Sequence, residues 1–89
     1  MLHELKTHPE PFTAVLEGRK TYEIRTQDRP FAVGDVLHLR EWEPYVDPIG
    51  GPVPGAGDYT GRSFHVRVTY MTPGRAWGLP AGLCVLAVV

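Results

Sequence analysis

Cysteine and serine are nearly absent from this 89-residue chain, which has one of each, Cys84 and Ser63. A lone cysteine excludes an intrachain disulfide and any cysteine metal cluster. Cys84 lies inside the apolar run Leu83–Val89 and reads as a small buried hydrophobe. Ser63 has no nucleophile-elbow context, so nucleophilic catalysis has no evident carrier. No segment approaches the roughly 20 apolar residues that a membrane-spanning helix requires. The N-terminal Met-Leu-His-Glu-Leu-Lys has no apolar stretch behind it, so no signal peptide and no membrane association are expected, and the expected compartment is the cytoplasm. An excess of positive charge is missing too. The formal net charge of −1 argues against a protein that coats nucleic acid by neutralising phosphates.

What is present is an ordinary globular composition, 43% hydrophobic and 21% charged, of a size for one domain spanning residues 1–89. Ten glycines and nine prolines punctuate short elements, as suits a β-rich chain. Leu2–Lys6 reads as a first strand. Thr7 and Glu10 have the spacing of a capping box, and Phe12, Val15 and Leu16 place one apolar stripe on a helix that Gly18 stops. Thr21–Thr26 alternates, with Tyr22 and Ile24 on one side and Thr21, Glu23 and Arg25 on the other. Turns at Asp28-Arg29-Pro30 and Val33-Gly34-Asp35 lead into a strand over Val36–Trp42, with Leu37 and Leu39 toward the core.

The prolines and glycines of Glu43–Gly61 predict a long exposed loop without regular structure. Arg62–Met71 alternates clearly, with Phe64, Val66, Val68 and Tyr70 on one face. After a turn-rich stretch, Leu83–Val89 reads as a strand buried on both faces. The expected fold is mainly β, about five strands in the order β-α-β-β-β-β with one short N-terminal helix, curled into a small barrel.

Within this pattern, Gly18-Arg19-Lys20-Thr21-Tyr22-Glu23-Ile24-Arg25 resembles the Gly-x-Lys-x-x-Glu-x-Arg signature of the ASCH domain. Val33-Gly34-Asp35-Val36-Leu37 is similar to that family's turn into its next strand. More narrowly, the chain resembles a compact ASCH-related family of bacterial and phage proteins. The likeness runs through His3–Lys6, Gly18–Arg25, Leu39-Arg40-Glu41, Tyr59–Arg62, Val68–Tyr70 and Gly78-Leu79. The resemblance implies a PUA-like pseudobarrel whose groove is lined by the signature segment and binds RNA or modified nucleotides. Some ASCH proteins are hydrolases of acylated nucleosides, using a lysine, a threonine three residues later and a glutamate from a downstream helix. Lys20 matches the lysine, but Glu23 stands at the threonine position and no comparable helix follows, so that activity does not transfer.

The residues singled out are Lys20, Glu23 and Arg25. An ammonium and a guanidinium suit phosphate or carbonyl groups, and a carboxylate can orient the arginine or accept from an exocyclic amine. Glu23 and Arg25 share a strand face, and Lys20 sits at the helix-to-strand junction. Lys6 and Arg40 are further basic candidates, placed by the resemblance and by their strand ends. The expectation is a non-enzymatic module for RNA or a nucleotide-like ligand, without cofactor or metal. The rival is a small hydrolase of modified nucleosides or RNA that uses Lys20 and Glu23 as base and acid. The four histidines, His3, His8, His38 and His65, lack the i, i+4 spacing of helical metal motifs and read as imidazoles on strand surfaces. Trp42, Tyr45, Tyr59 and Trp77 are aromatics near loops, suited either to stacking on bases or to stapling loops to the barrel. Gly55-Ala56-Gly57 lacks the ending and the following helix of a phosphate loop.

Overall fold

The computed structural model describes residues 1–89. Five strands and one α-helix follow in the order β1 (Leu2–Thr7), α1 (Pro9–Leu16), β2 (Tyr22–Thr26), β3 (Val36–Asp47), β4 (Gly51–Thr72) and β5 (Leu83–Val88), with a 3-10 turn at Ala76–Gly78 before β5. The domain is mainly β, as expected. The strands form one mixed sheet in the order β1-β3-β4-β5-β2, in which β1 runs parallel to β3 and the other pairs are antiparallel. No backbone ladder joins β1 to β2, so the sheet is open and both are edge strands. No helix is long and apolar enough to cross a membrane.

The core follows the period-2 pattern of the strands. Leu5 of β1, Leu37 and Leu39 of β3, Val66 and Val68 of β4, and Cys84, Leu86 and Val88 of β5 point inward, joined by Phe12 and Val15 of α1 and by Phe31. Phe12 meets Phe64 edge to face at 4.9 Å between centroids. Helix α1 is stopped as its sequence predicts. Gly18 takes φ +78°, a conformation that costs an L side chain energy, and lets the amides of Gly18, Arg19 and Lys20 reach the last-turn carbonyls.

Several expectations are corrected. His8, not Thr7, is the N-cap of α1, and no side chain caps it, because Thr7 is buried at the end of β1. Leu16 is about half exposed, so the buried helix stripe consists of Phe12 and Val15 alone. β5 buries one face only, and Leu83, Val85 and Ala87 are partly exposed on the other. The largest correction is 43–61, which is a hairpin arm rather than an irregular loop. Trp42 pairs with Tyr59, Pro44 with Gly57 and Val46 with Pro52, with register shifts at Arg40/Trp42 and Pro44/Val46. Prolines fit because each strand of a two-stranded ribbon has an unpaired edge, where a missing amide donor costs little. The tip is closed by Asp47, whose carboxylate accepts from the Ile49 and Gly50 amides at 2.8 and 3.0 Å. Those bonds hold the Asp47 carboxyl below its ordinary pKa.

On β4 a register shift between Val68 and Tyr70 turns Tyr70 to solvent, so the alternation predicted for Arg62–Met71 ends at Thr69. Asp35 draws the start of β3 to β1. It bonds His3 Nε2 at 2.7 Å and the N-terminal ammonium at 3.0 Å, and it accepts from the Ala32 amide at 3.0 Å. These partners hold the Asp35 carboxyl at a pKa of about 2. His3 is therefore a buried structural imidazole rather than a surface one.

Candidate functional site

The two unpaired edges, β1 and β2, face one another across a cleft of about 340 Å³. Its walls carry Lys6, Thr7 and His8 from the β1 side and Lys20, Glu23 and Arg25 from the β2 side. Alternation along β2 is as read from the sequence, and the structure assigns its sides. Tyr22 and Ile24 face solvent, whereas Glu23 is 2% exposed. A strand that turns its carboxylate inward and its isoleucine outward needs partners inside, and it has them.

Glu23 is held from both sides. Lys20 Nζ donates to Oε1 at 3.1 Å, while Arg25 reaches Oε2 through Nε at 3.1 Å and Nη2 at 2.9 Å. The helix stop at Gly18 is what brings Lys20, off the strand's parity, to this carboxylate. Arg25 then crosses the cleft. Its Nη1 donates to the Lys6 carbonyl and its Nη2 to Thr7 Oγ1, each at 3.0 Å. Three hydrogen bonds, one from each guanidinium nitrogen, and a second ion-pair contact thus engage Arg25 within the protein. A side chain of one edge strand replaces the backbone bonds that a closed barrel would have. Arg25 is a strut, and the other cations at the cleft are Lys20 and Lys6. Lys6 Nζ lies 4.4 Å from the centroid of the Trp42 ring, a cation–π arrangement.

Sequence reasoning missed the polar cluster next to this cleft. Thr7 is in register with Glu41 of β3, and both are buried. Thr60 Oγ1 donates to Glu41 Oε1 at 2.7 Å, and Arg62 Nη1 lies 3.8 Å from Oε2. The signal was present in the spacing, since Glu41 continues the inward parity of Leu37 and Leu39. No buried side-chain nitrogen or oxygen in the molecule lacks a partner. Glu23 and Glu41 are each anchored by cations or hydroxyls.

Lys20, Glu23, Arg25 and Lys6 come together; Arg40 does not join them. Its Nη1 is bonded to Glu4 at 2.7 Å and its guanidinium lies 3.8 Å from the Tyr59 ring centroid, in a separate cleft of about 290 Å³. That bond holds the Glu4 carboxyl below its ordinary pKa. Among the aromatics, Trp42 is buried against Lys6 and His8, and Trp77 is 96% exposed with φ +54°. No three His, Cys, Asp or Glu side chains converge as a metal-ligand set.

Residues 2–88 match the family described as Domain of unknown function (DUF3850). The chain belongs to this family. A relative from Escherichia phage P2, described as an uncharacterized 12.9 kDa protein in the GpA 3′ region, is 37% identical over 76 residues. That alignment takes in 85% of this chain and 59% of the phage protein, so the chain spans less than two thirds of that relative's length.

Proposed function

We propose that this domain is an ASCH-like, PUA-type binding module for RNA or a modified nucleotide, and that the cleft between β1 and β2 is its ligand site. The observation that carries the reading is the division of labour within the cleft. Arg25 is consumed as a strut, while two ammonium groups, Lys20 and Lys6, flank a concave polar space. A volume of about 340 Å³ is at the low end for small-molecule sites and suits one nucleotide unit rather than a duplex. The net charge of −1 favours the same choice, because binding of long polyanions relies on many phosphate contacts. The ammonium groups supply the phosphate contacts, and the walls sort the base by shape. A reducing, cytoplasmic setting accords with a single cysteine that is fully buried.

Titration calorimetry with nucleoside monophosphates and a uridine decamer tests the reading. The Lys6→Ala/Lys20→Ala variant is expected to lose at least about tenfold in affinity, roughly 1.4 kcal/mol, while retaining its fold. Failure of every nucleotide and of the decamer to bind at millimolar concentration would overturn it. Turnover of an acylated nucleoside or of the decamer that disappears in Lys20→Ala would replace it with the hydrolase.

A further inference from the structure

The face of β1, β3 and β4 turned away from the core carries a second group of cations. His38 and His65 are register partners on β3 and β4, with ring centroids 4.4 Å apart and planes 10° from parallel. Leu37, Leu39, Val66 and Val68 point inward, so alternation puts Arg40 and Arg67 on the same outer face as these imidazoles. Arg40 is fixed there between the Tyr59 ring and Glu4. Glu4, His38, Arg40, Tyr59 and Ser63 wall a cleft of about 290 Å³ that is separate from the Lys20 groove, and His65 stacks on His38 beside it.

We propose that this face is a second, proton-linked phosphate-binding site, centred on His38, His65 and Arg40. Neither imidazole makes a hydrogen bond within the protein, so their ring N–H groups are free to donate. One Arg40 donor goes to Glu4 and the rest of the fork remains open, in the geometry that suits phosphate oxygens. A phosphate dianion set across their edges favours an imidazolium over a neutral ring, so proton uptake and anion binding assist one another. The charged groups on the same face as the pair are Glu4 from β1, Arg40 from β3 and Arg67 from β4. The one carboxylate among them is already neutralised by Arg40. β5, Leu83–Val88, carries no ionisable side chain besides the buried Cys84, and its continuation meets β4 no nearer to His65 than Arg67, whose backbone bonds Val89. A metal chelate fits less well, because parallel rings direct their lone pairs side by side rather than toward one point about 2.0–2.1 Å from both.

Pyrophosphate titrated into the intact domain between pH 7.5 and 6 tests the proposal, with thermal melting of each variant as the folding control. Affinity is expected to rise by up to about tenfold per pH unit, the limit for one linked proton. Arg40→Gln is expected to weaken binding about tenfold, the loss of one charge-assisted pair. His38→Gln/His65→Gln is expected to remove the pH dependence, and Arg29→Gln, at an exposed cation remote from both clefts, to leave all of this unchanged. A pH-independent affinity, a pH dependence that persists in His38→Gln/His65→Gln, or an unchanged affinity in Arg40→Gln would overturn the assignment. A uridine decamer supplies the second arm. If it binds more tightly than pyrophosphate and loses affinity in the same variants, the phosphate recognised is that of a nucleic-acid backbone. If it binds less tightly with the same losses, the site takes free phosphate.

Discussion

Removing the Arg25 guanidinium tests whether the two edge strands are held together by a side chain. In Arg25→Ala, the Lys6 carbonyl and Thr7 Oγ1 each lose a donor, at about 1 kcal/mol per bond in net terms. Glu23 keeps Lys20 but loses its second cation, and a hydrogen bond to a charged group is worth about 1.5–3 kcal/mol. Against this, alanine frees roughly 2 kcal/mol of side-chain entropy that the fixed arginine gives up. The Arg25 side chain is 20% exposed, so water softens the loss without cancelling it. The sum is a destabilisation of about 1.5–3 kcal/mol, or on the order of 10 °C in melting temperature for a domain of this size. Urea denaturation followed by circular dichroism measures it. Arg25→Lys should recover less than half, because an ammonium cannot span Glu23, Lys6 and Thr7 at once. A double-mutant cycle with Glu23→Gln should return a coupling of about 1 kcal/mol or more. An Arg25→Ala domain that melts within about 2 °C of the parent would refute the strut, since roughly 0.5 kcal/mol is all such a shift allows. Arg25 would then be a cation available to ligand.

The hairpin arm and the Asp35 junction give two further tests. A Cβ at Gly57 would overlap the Trp42 ring and the Glu43 carbonyl, so Gly57→Ala should cost about 1–3 kcal/mol and raise amide exchange along 42–59; unchanged exchange would return this segment to an irregular loop. Asp35 has a pKa of about 2 in the folded protein against an ordinary 3.8, so it binds fewer protons folded than unfolded between those values. Its stabilising contribution is complete above pH 3.8 and disappears as the pH falls toward 2. Urea midpoints measured from pH 5 to 2 should drop through that window, and Asp35→Asn should flatten the drop; an unchanged profile in the variant would show that the His3 and N-terminal contacts do not hold the carboxylate.

What was legible in the sequence depended on how local the cause was. The Gly18 stop, the inward Leu37 and Leu39 and the burial of Cys84 follow from backbone freedom and period-2 alternation, and the structure has them all. The arm was not legible because its prolines and glycines argue against a central strand, whereas the actual pairing is a ribbon that tolerates them. The open order β1-β3-β4-β5-β2 was hidden as well, because the spacing of apolar residues says which side of a strand is buried and nothing about which edges remain unpaired. That topology explains the candidate site. On β2 alternation separates Glu23 and Arg25 from Tyr22 and Ile24, yet apolar content alone would send the wrong pair inward. A buried carboxylate is tolerable only where cations meet it. Those cations come from the helix stop at Lys20 and from the strand's own Arg25, which can turn inward because β1 lies across an unpaired edge. Had the barrel closed by backbone bonds, Lys6 and Thr7 would have found amide partners and Glu23 would have had no reason to be buried. The charged groove is therefore a consequence of the open seam, and a variant that closed the seam should lose the groove.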